Sequence, residues 1–230
     1  MLSNIIPDIS NIPLLEFIAL ACAAQRYNGR YVKTYELGFL DADKELHPNK
    51  HLILSTLKIL DERYNLDITL EITKEDKQLA SEIYKFYQRL LFSAILNENE
   101  FQSKLYVILQ ANTVKSNELG FIACLPHVYQ KDLHKKQINQ KIKNLDHTHL
   151  SEVGAKILDK DCDVIECSQS KNYAAWNVLA IIENKLIGWM SKQELKQGPC
   201  VVISANIKKH SDNWKYNMPV TLLNYVRYAQ

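Results

Sequence analysis

Close to the carboxy terminus, Lys208, Lys209, His210, Trp214, Lys215, Tyr216 and Arg227 fall within a short stretch of chain. Those residue types, that close together, suit one kind of chemistry. Ammonium and guanidinium groups neutralise phosphates and release their counterions, while flat rings stack on bases without regard to sequence, for about 1–3 kcal/mol each. Over residues 204–230, Lys208, Lys209, Lys215 and Arg227 meet one carboxylate, Asp212, and Trp214, Tyr216, Tyr225 and Tyr228 set rings among them. A single-stranded nucleic acid is the ligand such a mixture would take. The plainer reading is a solvated hairpin end, since lysines guard many strand edges and tyrosines often fill cores with their hydroxyls at the rim. Trp214 favours binding, because a large ring in a polar turn has no core to enter. His210 either contacts phosphate when protonated or is a hydrogen-bonded structural residue. Trp189 is either a further stacking platform or a core ring.

Other chemistry is poorly served. A second basic run, Lys131, Lys135, Lys136, Lys141 and Lys143, reads as the solvated face of a helix, and it would extend an electrostatic track only if it packed beside the first. His147 and His149 precede Cys162 and Cys167, but that spacing is not a zinc pattern. No phosphate-loop, nucleophile-elbow or zincin motif is present, and Asp61, Glu62, Glu71 and Asp76 follow no nuclease-like spacing. The expectation is therefore no catalytic residue, no metal and no cofactor.

The elements that must hold the basic, aromatic stretch come next. With 230 residues, 47% of them hydrophobic, the chain is long enough to bury a core. Its 28 lysines and arginines against 26 aspartates and glutamates leave no global field, so any polyanion must be met by a local patch. Five scattered cysteines point to a reducing compartment, and the apolar run at residues 12–24 is too short to span a membrane and has no preceding Lys or Arg. A soluble cytoplasmic protein is expected.

The first part of the chain reads as helices. One covers residues 12–28, with Asn11 as its cap, Pro13 in its first turn and Gly29 as its stop. A second covers 51–65. A third starts at Thr73, where Thr73 and Asp76 have capping-box spacing and Leu79, Ile83, Phe86, Leu90 and Ala94 recur at three or four. Two more cover 101–112 and 116–144, with Pro126 kinking or ending the last. From His149 the period becomes that of strands, in runs at 156–170, 174–182, 185–192, 199–209 and 220–229. In the fourth, Val201, Ile203, Ala205 and Ile207 should share one face and Val202, Ser204, Asn206 and Lys208 the other. Five strands match the count of an OB-fold, a small barrel that often takes oligonucleotides.

A resemblance adds to this. Gly120, Gly154, Trp189, Gly198, Lys208, Lys209, His210, Thr221, Leu223, Asn224 and Val226 follow a pattern resembling a family of bacteriophage-encoded proteins in which a helical segment leads into an OB-like barrel ending in a lysine–lysine–histidine strand and a threonine–leucine–asparagine–valine strand. Leu150 stands where that family would have a glycine, and the turn at Trp214, Lys215 and Tyr216 contains none. The resemblance implies single-stranded DNA binding rather than catalysis. The combined expectation is an α+β protein with a helical part over 1–145 and an OB-like barrel over 146–230. It would serve phage replication, recombination or transcription in the cytoplasm of an infected bacterium. Its site would be Lys208, Lys209, His210, Trp214, Lys215, Tyr216 and Arg227, with Trp189, and its partner single-stranded nucleic acid, DNA favoured over RNA. The alternative is a protein-interaction module, a cofactor or inhibitor binding a phage or host polymerase or another enzyme.

Overall fold

The computed structural model of the chain describes residues 12–37, 45–59, 66–93 and 100–230. The expectations placed on Asn11, Asp61, Glu62 and Ala94, and on the side chain of Leu90, lie outside them. The chain divides into two compact units, residues 1–133 and 134–230.

In the first unit α1 (Leu14–Asn28) begins two residues later than its sequence suggests. Pro13 sits at the N-cap, extended at φ −60° and ψ 140°, rather than in the first turn, and its carbonyl accepts the Glu16 and Phe17 amides. Gly29, at φ 73°, ends the helix in the left-handed region that a side chain resists. A short ladder of β1 (Glu36–Leu37) and β2 (Glu45–Leu46) follows. Next, α2 (Asn49–Thr56) stops well short of residue 65, where Lys58 turns left-handed at φ 56°. α3 (Lys74–Ser93) opens on the expected capping box. The Asp76 amide donates to Thr73 Oγ1 at 3.2 Å, and the Thr73 amide donates to Asp76 Oδ2 at 3.0 Å. α4 (Glu100–Ala111) and α5 (Leu119–Lys143) complete the helices. Pro126 does not end α5, although its missing N–H removes one helical hydrogen bond. Phe17, Ile18, Leu52, Ile83, Leu105 and Ile122 are at the centre of this unit's core.

The division falls inside α5, so the last part of that helix belongs with the strands. Those strands are β3 (Lys156–Gln169), β4 (Trp176–Ile182), β5 (Lys185–Ser191), β6 (Gly198–Asn213) and β7 (Met218–Ala229), and they close a barrel in the order β3-β4-β5-β7-β6. Every neighbouring pair is antiparallel except β5 with β7, which run parallel through Ile187 opposite Thr221 and Gly188 opposite Leu222. The protein is thus of the α+β class, with five helices among the described residues, mostly amino-terminal, and a closed OB-like barrel after them.

Strand β6 departs from simple alternation. Its inward residues are Cys200, Val202, Ala205 and Ile207, whereas Val201 and Ile203 are exposed, so the expected face of Val201, Ile203, Ala205 and Ile207 does not form. The reason lies in the ladder with β7, whose register shifts between Val202 and Ser204, between Ser204 and Asn206, and between Ile207 and Lys209. The first and third shifts put an extra residue in β6 and reset its two-residue period there, while the second puts it in β7, and such bulges bend the long strand around the barrel. Outside the barrel, Ile138, Ile142 and Leu145 at helical spacing cover Ile165, Leu186, Met218 and Val220. Lys141 Nζ fixes that helix end to Asp163 at 2.6 Å, and the Asp146 amide donates to the Asn184 carbonyl at 2.9 Å.

Candidate nucleic-acid interface

Alternation along two short strands builds the floor of the site. In β4, Val178, Ala180 and Ile182 point into the barrel, which turns Asn177 and Leu179 outward. In β5, Ile187 and Trp189 point inward and Gly188 and Met190 outward. Register then lines up one row across the outer surface: Glu166 opposite Leu179, Leu179 opposite Gly188, Gly188 beside Leu222, and Leu222 opposite Lys209. The β6–β7 hairpin curls over this surface and leaves a cleft of about 660 Å³. Strands 2 and 3 of a five-stranded OB barrel, with the loop between strands 4 and 5, form the surface on which that fold holds oligonucleotides.

The turn at the hairpin's end is closed without glycine. Asn213 Oδ1 accepts the Lys215 and Tyr216 amides at 3.0 and 3.2 Å, and Asn217 adopts the left-handed conformation at φ 51°. Asparagine does both jobs at low cost, because its short amide mimics a backbone carbonyl and tolerates positive φ. Trp214 at the tip is 91% exposed.

Lys215 and Tyr216 point down onto the cleft wall. Lys215 Nζ donates to both Glu166 oxygens at 2.7 Å, and the Tyr216 hydroxyl donates to Glu166 Oε2 at 3.0 Å. Burial lowers the pKa of the Lys215 ammonium, but Glu166 and Tyr216 together outweigh it and hold the pKa above its ordinary value. Burial, with help from Glu166, also raises the pKa of the Tyr216 phenol. Lys215 therefore enters the cleft already neutralised. Lys208 and Lys209 have no carboxylate partner among the described residues, and both line the cleft. Strict alternation would send two consecutive lysines to opposite faces. The register shift between Ile207 and Lys209 leaves Lys208 as the extra residue of a bulge, and both side chains are exposed.

Two expected site residues lie away from the cleft, and a third, Trp189, borders it but is buried. Trp189 is a core ring at 5% exposure, tilted against Tyr228 at 6.5 Å, because β5 alternation turns it inward, so it offers no free stacking face. His210 does not line the cleft. Its ring stacks on His149 with centroids 3.9 Å apart and planes 2° from parallel, and its Nε2 bonds the Ser151 carbonyl at 2.7 Å. Arg227 is exposed but lies opposite Ser204, beyond the shift that leaves Tyr225 left-handed at φ 52°, and away from the cleft lining. Thr221 fixes the last strand, its buried hydroxyl accepting the Leu150 amide at 3.0 Å.

Glu166, Asn177, Gly188 and Met190 line the cleft and were not singled out from the sequence. Their outward direction was legible in the alternation of β4 and β5, but the hairpin that turns this surface into a cleft was not. Among the described residues no three His, Cys, Asp or Glu side chains gather as a metal ion would need, and no helix is long and apolar enough to cross a membrane. No protein family, curated protein or solved structure matches the chain.

Proposed function

We propose that the barrel binds single-stranded nucleic acid, DNA favoured, in this cleft and carries out no catalysis, and that the chain acts as an accessory protein in phage replication, recombination or transcription. The observation that carries the reading is Trp214, almost fully exposed at the tip of a hairpin whose Lys208 and Lys209 line the adjoining cleft. A solvent-facing indole costs apolar exposure in the free protein, and a base laid on it removes that exposure while phosphates pair with the two ammonium groups. The cleft lies on the surface that OB barrels use for oligonucleotides, and its floor of Leu179, Gly188 and Leu222 suits a base plane.

Titrating the tryptophan fluorescence of the full chain with single-stranded and duplex oligonucleotides at two salt concentrations tests this. Quenching by single strands that weakens steeply with salt is expected. No response to either nucleic acid, together with partners that survive nuclease treatment in a pull-down, would transfer the cleft to the protein-interaction reading.

A further inference from the structure

The row that crosses the cleft has a direction. A carboxylate stands at one end in Glu166, at the other the ammonium of Lys209, which has no carboxylate partner among the described residues, and Leu179, Gly188 and Leu222 lie between. Four strand spacings of roughly 4.8 Å put the two ends no more than about 19 Å apart along the surface, before their side chains reach inward. A nucleotide has the same order of parts, with a phosphate, a flat face and a polar base edge.

Gly188 keeps the middle of the row low. Its φ is outside the left-handed region, so the backbone does not demand glycine, yet a Cβ there would stand 3.2 Å from Leu222 Cδ2. Glycine inside a strand commonly marks such a close approach. The carboxylate end also has unused capacity. An ionised carboxylate offers about four lone-pair positions. Lys215 uses one on each oxygen and Tyr216 a second on Oε2, which leaves one on Oε1. Asn177, exposed in the next row opposite Ser168 and Met190, adds an amide that can both accept and donate.

Resting on the function proposed above, we infer that the cleft selects bases by their exocyclic group, taking amino bases (cytosine or adenine) in preference to the keto bases thymine and uracil. The phosphate lies at Lys209, the ring on Leu179 and on Leu222 where it folds over Gly188, and the amino group donates to Glu166 Oε1 with Asn177 completing the edge. A keto oxygen at that place would set acceptor against acceptor in a partly dehydrated site, leaving both groups unpaired. Lys215 and Tyr216, by donating to it, fix the direction in which the carboxylate points.

The experiment compares labelled oligocytidylate and oligothymidylate of equal length, about twelve nucleotides, binding to the full chain at neutral pH. Cytidylate is expected to bind about tenfold more tightly, the scale of one good base contact. Glu166→Gln, whose amide can also donate, should bring the two to within about twofold of each other, while Lys209→Ala weakens both alike. Oligocytidylate carrying N4,N4-dimethylcytosine removes the donor from the ligand instead of the protein, and should bind like thymidylate even where Glu166→Gln fails to fold. Equal or tighter binding of thymidylate to the unaltered chain overturns the selection and leaves strand binding standing. Failure of every oligonucleotide to bind removes both.

Discussion

Replacing Lys208 and Lys209 together by alanine separates a binding cleft from a merely solvated hairpin. Both ammonium groups lie on the cleft with no carboxylate partner among the described residues, so each is free to replace a counterion on a bound phosphate. Each phosphate contact on a single strand contributes about 0.7 to the slope of log affinity against log salt, so the double variant should lower the slope by about 1.4. Across a fourfold rise in salt, roughly from 50 to 200 mM, the unaltered chain should lose about sevenfold more affinity than the variant does. Fluorescence anisotropy of a labelled single strand at four or five salt concentrations measures this directly. Two comparisons sharpen it. Lys215→Ala should change the slope much less, because Glu166 already neutralises Lys215, and Arg227→Ala should leave it unchanged, because Arg227 lies away from the cleft. An unchanged slope in the double variant, or an equal loss in the Arg227 variant, would refute the assignment of the cleft as the phosphate track.

Three further outcomes are expected. Trp214→Ala should weaken strand binding by about 1–3 kcal/mol while thermal unfolding stays within about 0.5 kcal/mol of the unaltered chain, since the ring is 91% exposed; an equal fall in stability would show that the ring is structural. At Asp76 burial raises the carboxyl pKa, but hydrogen bonds from Arg26 and Thr73 outweigh it and hold the pKa below the ordinary aspartate value. Its contribution to stability is thus present above the unfolded-state pKa and lost as pH falls through the lower folded one, so Asp76→Asn should flatten the acid limb of a pH–stability curve below about pH 4. Cys162 faces Cys200 across β3 and β6, and burial, with the hydrogen bond to Cys200, pushes its thiol up to about 12. Peptide mapping after brief alkylation of the native chain should find Cys162 unlabelled and the partly exposed Cys167 labelled; early labelling of Cys162 would mean that the β3–β6 seam opens.

The amino-acid order by itself carried the local physics. Thr73 and Asp76 at capping-box spacing, Gly29 after an alanine-rich helix, and the change from helical to two-residue period near His149 set the start of α3, the end of α1 and the barrel strands within a few residues of where they lie, whereas α2 ends well before its expected bound. Each of these is decided by a chain segment's own dihedral and hydrogen-bond needs. The close grouping of Lys208, Lys209 and Trp214 was visible for the same reason. What tertiary structure decided is which side chains meet. A bulge at Lys208 turned two consecutive lysines outward, and β5 alternation in a closed barrel made Trp189 a core ring. Stacking on His149 drew His210 off the cleft, and Glu166, 49 residues before Lys215, removed one cation from the track. Bulges, barrel closure and long-range ion pairs depend on strand register, which is fixed only when every strand of the barrel is paired, and no single segment encodes it.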